Sequence, residues 1–192
     1  MDPLLGIPVG LALSTAAGLR VFIPLLITSL AARSGYLALT PSMSWIASDA
    51  ALVAFVTAAI MEVGAYYVPW LDNVADAIAT PAAITVGIIE MAAVTPDLPP
   101  LLRWTVAVIA GGGVAGFAQL ATTLLRFKSS TLTAGTGNPI VATAELVGSL
   151  AIAVLALLAP LVAAVFVLIL LVVLARRVIR RRRRRRADLA SC

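Results

Sequence analysis

The sequence is poor in residues whose side chains bind metals or act as nucleophiles and bases. It contains no histidine and a single cysteine, Cys192, and only 12% of its 192 residues are charged. Without histidine the chain cannot build a Ser-His-Asp triad or a histidine-containing metal site, and one cysteine cannot form a disulfide within the chain. These absences argue against most hydrolases and transferases, so we expect no enzyme activity, no metal and no cofactor.

Charge is scarce because apolar residues dominate the composition. They make up 61% of the chain, and the mean hydropathy is +1.06. Soluble domains have roughly 45–50% apolar and about 25% charged residues. The composition therefore predicts an all-α integral membrane protein whose main partner is the lipid bilayer.

Most of the positive charge lies at the C-terminal end. Nine of the 14 basic residues are arginines between positions 176 and 186, whereas residues 1–175 hold five basic and eight acidic residues, a net charge of −3. We therefore divide the chain into a single transmembrane helical domain, residues 1–175, and a basic cytoplasmic tail, residues 176–192.

The arginine run in the tail has two interpretations. It could bind anionic lipid headgroups electrostatically, or it could act only as a topology anchor that binds nothing. We do not expect nucleic acid as a partner. The candidate headgroup-binding residues are Arg180, Arg181, Arg182, Arg183, Arg184, Arg185 and Arg186.

Long apolar stretches mark the membrane spans. A helix needs about 20 residues to cross the hydrocarbon, so the longest stretch is split near Pro160 into two spans. We predict a bundle of about six transmembrane helices, with five or seven as alternatives. The first stretch is long enough for either a strongly tilted helix or one broken near Gly18–Arg20. The apolar stretches are residues 4–32, 45–67, 77–94, 101–125 and 140–175.

Basic residues beside the spans indicate the orientation. The arginine tail belongs in the cytoplasm, and counting spans backwards puts the loop with Arg126 and Lys128 and the loop 67–76 on the same side. The links 34–44 and 95–100 are then outside, and the N-terminus is inside if residues 4–32 cross once. We expect a multi-pass protein of the cell inner membrane with a cytoplasmic C-terminus.

Among the charged residues inside the apolar stretches, four are candidates for a polar site: Arg20, Glu62, Glu90 and Glu145. Charged side chains inside a membrane are costly, so these should face the bundle interior and pair with one another. One arginine cannot neutralise three glutamates, so we expect at least one acid to bind and release a proton. The alternative is a structural Arg–Glu pair, with the other acids reaching the lipid headgroups.

Two links between spans are candidates for a polar loop site. Residues 129–139 are rich in hydroxyl groups and glycine and end with Asn138 and Pro139, where a new helix begins. Such a segment could line a cavity and direct a helix N-terminus at an anion, or it could be a flexible loop with an Asn cap. In the other cytoplasmic loop, the acidic group Asp72, Asn73 and Asp76 could attract a cation or simply solvate the loop.

The chain contains four short motifs: residues 16–20 with Pro24, Glu62 with residues 68–72, residues 76–80, and residues 138–141 with Glu145. Together they resemble a known family of small bacterial membrane proteins, catalogued as domain of unknown function 4126. The resemblance implies a polytopic inner-membrane protein and no established activity. The chain departs from the family pattern at residues 65–67, where an Asp-Lys pair is replaced by Ala-Tyr-Tyr, and at Gln119, where the family has a basic residue or histidine.

Two functional hypotheses follow from these features. The first is a small transporter or channel for an ion or small polar solute, in which Arg20 and Glu145 line a site near the membrane midplane. The second is a non-transporting lipid-binding or scaffolding protein that acts through its basic tail. The sequence leaves a homo-oligomer open in either case.

Overall fold

The computed structural model describes residues 3–65, 69–95, 98–133, 136–169, 172, 173 and 176. These residues form helices joined by short links, with no β-strand among them, which confirms the all-α fold. The helices are α1 (Pro3–Ala17), α2 (Phe22–Arg33), a 3-10 segment (Pro41–Ala47), α3 (Asp49–Ala65), α4 (Pro69–Ala93), α5 (Pro100–Val106), a π-helical segment (Ala107–Gly112), α6 (Gly113–Thr133), α7 (Asn138–Leu158) and α8 (Pro160–Ile169).

The first apolar stretch is broken, not tilted. Helix α1 ends at Ala17 and α2 begins at Phe22, so the break includes the predicted Gly18–Arg20 region. Pro24 lies in the first turn of α2, where the missing N–H of proline would have no intrahelical partner anyway. At 1.5 Å per residue, α1 is about 22 Å long and α2 about 18 Å, and each is shorter than the roughly 30 Å hydrocarbon core.

Helices α1 and α2 fold back on each other as a hairpin beside α4. Near the open end of the hairpin, Gly6 packs against the carbonyl of Val94, and the N–H of Thr40 donates to the carbonyl of Ala93 at 2.8 Å. Further in, the Ser14 hydroxyl donates to the carbonyl of Gly87 at 2.8 Å. Both outer ends of the hairpin therefore lie at the C-terminal end of α4, and residues 18–21 form its tip.

Two helix boundaries differ from the sequence-based prediction. Helix α4 begins at Pro69, so most of the predicted loop 67–76 is helical. Helix α6 continues to Thr133, so the predicted loop with Arg126 and Lys128 is helical as well. Hydropathy locates the apolar part of a helix, whereas backbone hydrogen bonding can continue through polar residues beyond it. The loop predictions were therefore wrong at both places.

Two of the described helices are long and apolar enough to cross a membrane, the continuous helix Pro100–Thr133 and α7. A third is added if the 3-10 segment and α3, which meet at an angle of 61°, count as one span. The described residues therefore do not confirm a six-span bundle.

Large apolar side chains are exposed on most of these helices. Examples are Ile60 on α3, Ile109 in the π-helical segment, Leu132 on α6 and Ile140 on α7, each more than half exposed. Extensive apolar surface of this kind is rare in soluble monomers and is typical of contact with lipid or another protein.

Glycines allow three helical segments to approach one another at backbone distance. A methyl group added at Gly111 would collide with the carbonyl oxygen of Gly87, and one added at Gly87 would lie 2.7 Å from the carbonyl oxygen of Gly111. A methyl group added at Gly10 of α1 would meet the side-chain sulfur of Met91 and lie 3.2 Å from the Met91 Cα on α4. Small residues commonly permit such close packing of helices in membranes.

We expect Gly111→Ala to destabilise the fold, since its added methyl group meets backbone that cannot move aside cheaply. Overpacking of this kind typically costs about 1–3 kcal/mol of unfolding free energy. The matched control is Gly113→Ala in the same glycine run, where nothing lies within 4 Å of an added methyl group. Thermal denaturation of the detergent-solubilised protein compares the two variants. Equal stability would contradict the close approach of α4 to the π-helical segment.

Candidate functional site

The tip of the hairpin carries a buried arginine. Arg20 is only 2% exposed, and its Nη2 donates to the carbonyl of Ala142 in α7 at 2.8 Å. The same nitrogen lies 3.6 Å from Oε2 of Glu145. The structure thus brings together Arg20 and Glu145, the two residues that the sequence suggested as the lining of one polar site.

A second arginine, Arg126, completes this pair. It is 4% exposed, its Nε donates to Oε1 of Glu145 at 3.0 Å, and its Nη2 donates to Oε2. This two-pronged geometry is the strong, directional form of an arginine–carboxylate contact. The sequence-based assignment of Arg126 to a cytoplasmic loop with Lys128 was therefore wrong, because Arg126 lies on the buried face of α6.

A helical pattern in the sequence could have located Arg126. Gln119, Thr122 and Arg126 are all buried on α6, at the spacing i, i+3, i+7 that marks one face of a helix. The signal was missed because the apolar stretch ends at Leu125, and an arginine directly after such a stretch is normally a flanking residue at the membrane surface.

Glu62 of α3 binds the start of α2. Its two carboxylate oxygens accept hydrogen bonds from the N–H groups of Val21, at 2.7 Å, and Phe22, at 3.0 Å. The first amides of a helix have no intrahelical acceptor and form the positive end of its dipole, so a carboxylate is stabilised there. Val21 directly follows Arg20 in the chain, so these hydrogen bonds place Glu62 beside the hairpin tip.

Arg20, Glu62, Arg126 and Glu145 thus form one group, which we call the central cluster. It joins the hairpin tip, α3, α6 and α7, and it contains two positive and two negative side chains. The expectation that one arginine faces three glutamates was wrong, because Arg126 supplies the second positive charge. The central cluster is balanced internally.

Glu90 is not part of the central cluster. It lies on α4 with 0% exposure, and its Oε2 accepts a hydrogen bond from the Thr28 hydroxyl of α2 at 2.8 Å. No ion pair joins it to another residue in the part of the chain that the structure describes. Three of the four charged residues predicted for a polar site therefore lie together, and the fourth lies apart.

The candidate loop residues have a different setting from the one predicted. The backbone of Asp72, Asn73 and Asp76 is in the first turns of α4, and their side chains lie outside the described residues. Asn138 is the first residue of α7 and Pro139 the second.

The side chain of Asn138 joins two helices. Its Nδ2 donates to the Ser130 hydroxyl of α6 at 2.9 Å, so it connects the end of α6 to the start of α7. The predicted Asn cap of α7 was wrong, since the capping position is Gly137 and no side chain caps the helix there. The arginine run 180–186 lies outside the described residues.

The described side chains offer no place for a metal ion. No group of three or more His, Cys, Asp or Glu residues that could hold one occurs among them. The central cluster offers guanidinium and carboxylate groups, which form strong, directional hydrogen bonds with ions and polar groups of opposite charge.

The family model described as "Domain of unknown function (DUF4126)" matches residues 7–181. The chain therefore belongs to this family, as the short motifs around Arg20, Glu62 and Glu145 indicated. No curated protein and no solved structure matches the chain.

We expect Arg126→Met to destabilise the protein strongly, because Glu145 would lose its two-pronged partner. Removing one member of a buried ion pair typically costs about 3–5 kcal/mol of unfolding free energy. Lys128→Met, two positions further on the same helix, is the matched control, since Lys128 is exposed and should change stability by less than about 0.5 kcal/mol. Chemical denaturation in detergent micelles measures both, and equal losses would contradict a special role for Arg126.

Proposed function

We propose that this protein is a small multi-pass transporter or channel of the cell inner membrane, not an enzyme, for an ion or small polar solute. The central cluster is its polar site. The observation that carries this proposal is the burial of three charged side chains, Arg20, Arg126 and Glu145, beside the half-buried Glu62, around the tip of a helical hairpin that is too short to cross the bilayer.

The energetic cost of the central cluster supports a functional role. An ionised side chain at the bilayer centre costs about 2.5–3.5 kcal/mol even on the lenient insertion scale. Buried ion pairs can often be replaced by apolar residues without loss of stability. A bundle with only a structural role therefore gains little from burying Arg20, Arg126 and Glu145 in its interior.

The interrupted helix supports the same conclusion. Transport sites are often built where a helix is broken and the N-terminus of one half points at a charged group. Here the chain is unwound at residues 18–21, and the first amides of α2 hold the carboxylate of Glu62. Glu62 occupies a position that is electrostatically suited to an anionic group.

The proposed membrane arrangement modifies the six-span prediction. In this arrangement α1 and α2 enter and leave the bilayer on one side, and five segments cross it. The crossing segments are α3, α4, Pro100–Thr133, α7 and the segment that begins with α8. With the arginine tail in the cytoplasm, the open end of the hairpin and the 3-10 segment face the outside. The N-terminus is then outside. The sequence predicted an inside N-terminus only if residues 4–32 cross the membrane once, and in this arrangement they do not cross it.

Single-cysteine labelling tests this arrangement in a Cys192→Ser background. A membrane-impermeant maleimide added to intact spheroplasts should label Tyr36→Cys from outside, and Thr136→Cys should react only after the membrane is opened. Both positions are exposed in the structure. An epitope tag before Met1 should be accessible from outside together with Tyr36→Cys. A tag accessible only after lysis would contradict the re-entrant hairpin.

Flux measurements in proteoliposomes test the transport function. We expect wild-type protein to release an ion gradient, and Glu145→Gln to abolish this flux, because Gln cannot balance the charges of Arg20 and Arg126. The matched control is Asp49→Asn. The Asp49 side chain is 90% exposed, and one of its carboxylate oxygens lies 2.6 Å from Nη2 of Arg33. This control variant should leave the flux unchanged.

A second variant separates loss of function from loss of folding. The double substitution Arg20→Gln with Glu145→Gln removes one positive and one negative charge, so the remaining pair of Arg126 and Glu62 stays balanced. Size-exclusion chromatography and thermal denaturation check that this variant folds. A folded double variant with wild-type flux would exclude the central cluster as the transport site. Absence of wild-type flux under several ion gradients would favour the lipid-binding or scaffolding alternative.

A further inference from the structure

We propose that Glu90 is a proton-binding site, separate from the central cluster, and that the proton is the ion coupled to transport. This inference rests on the proposed transport function and adds the identity of the coupling ion. The carboxyl group of Glu90 is buried, only one of its two oxygens is hydrogen-bonded among the described residues, and that hydrogen bond comes from Thr28 of the hairpin.

Glu90 is fully buried, and among the described residues its side chain has one polar partner. The residue has no exposed surface, and residues 91–94 that follow it are at most 1% exposed. Its Oε2 accepts a hydrogen bond from Thr28 at 2.8 Å. Its Oε1 has no hydrogen-bond partner among the described residues, so one side of the carboxyl group has unused hydrogen-bonding capacity.

The segments packed around α4 bring no charge to Glu90. Helix α1, the 3-10 segment and the π-helical segment contain no charged residue in their described parts, and Glu90 forms no ion pair with any described residue. The other neighbouring helices contain six charged residues. Arg33 on α2 pairs with Asp49 on α3, and Glu62 and Arg126 belong to the central cluster. The remaining two are Arg103 on α5 and Lys128 on α6.

The acids on α4 itself are distant from Glu90. Asp76 precedes it by 14 residues and Asp72 by 18, which corresponds to at least about 21 Å along a helix that rises 1.5 Å per residue. Helix α4 contains no basic residue, so Glu90 has no counter-charge on its own helix, and no described basic residue of a neighbouring helix forms an ion pair with it.

A carboxyl group in this setting is expected to carry a proton. An isolated ionised carboxylate in an apolar interior is very costly, whereas the neutral acid with one hydrogen bond is tolerated. The two arginines of the central cluster are matched by its two glutamates, so the cluster has no excess positive charge that would stabilise an ionised Glu90. Release of the proton to water breaks the O–H bond, leaves the electron pair on the carboxylate, and requires that water reach the site.

The hydrogen bond to Thr28 connects this proton to the central cluster. Thr28 lies in the middle of α2, and the N–H groups of Val21 and Phe22 at the start of this helix bind Glu62. Thr28 is six to seven residues further along the chain, about 10 Å along the helix. An ionised Glu90 binds the Thr28 hydroxyl more strongly than a neutral one, so gain or loss of the proton acts on the helix that positions Glu62.

Infrared difference spectroscopy tests the proton site independently of transport. Purified full-length protein in liposomes should show the C=O stretching band of a protonated, buried carboxyl group, and Glu90→Gln should remove this band. Asp49→Asn, which alters an exposed carboxylate, should leave the band unchanged. The inference is overturned if the band is absent from the wild type or persists in Glu90→Gln.

Flux measurements with a pH-sensitive dye inside the same liposomes test the coupling. We expect Glu90→Gln to reduce flux driven by a pH gradient to the level of empty liposomes, since Gln cannot release a proton. If Glu90→Gln retains the flux driven by a pH gradient, the inference about Glu90 is overturned and the transport function stands. A titrating Glu90 band in a protein without any flux would instead overturn the transport function and leave the proton site standing.

Thr28→Val provides a second variant in case Glu90→Gln fails to fold. It removes the hydroxyl that bonds to Glu90 and keeps the side-chain shape, whereas Thr28→Ser keeps the hydroxyl. Thr28→Val should change the pH at which the Glu90 band titrates, and Thr28→Ser should restore the wild-type titration. Identical titrations in all three proteins would overturn the link between Glu90 and the hairpin.

Discussion

The contact of Glu145 with Arg126 and Arg20 is the interaction on which the arrangement of the helices depends. One carboxylate, only 5% exposed, connects α7 with α6 and with the tip of the hairpin. Arg20 is also bound to the backbone of α7 at Ala142. Since a buried charge without its partner is strongly destabilising, these contacts favour one relative position of the three segments over all others.

Close packing by small residues makes this arrangement possible. The hairpin can reach the interior because α1 meets α4 at Gly6 and Gly10, and α4 meets the π-helical segment at Gly87 and Gly111. In a membrane, apolar side chains gain little from leaving lipid for protein, so close backbone approach and hydrogen bonds carry more of the stability. The Ser14 hydroxyl, bound to the carbonyl of Gly87, is one such hydrogen bond.

The acids Glu62, Glu90 and Glu145 fall into two kinds. Glu62 and Glu145 are held by helix amides and by guanidinium groups, so each has a compensating positive partner. Among the described residues, Glu90 has only the hydroxyl of Thr28 as a polar partner. The same short helix, α2, contacts both Glu62 and Glu90, and a movement of the hairpin would therefore alter both environments at once. This shared helix is the physical basis for treating the central cluster and Glu90 as parts of one mechanism.

Much of this could be predicted from the sequence because it depends on local properties of the chain. Composition determined the all-helical, apolar character, and the position of Gly18–Arg20 with Pro24 determined where the first helix breaks. The need to bury Arg20, Glu62, Glu90 and Glu145 followed from the cost of charge among apolar residues. The pairing of these residues was decided only by the tertiary structure. Arg20 and Ala142 are 122 positions apart, and which side chains meet depends on which helices pack together. For that reason only the fold could show that Arg126 balances the cluster and that Glu90 is left without a counter-charge.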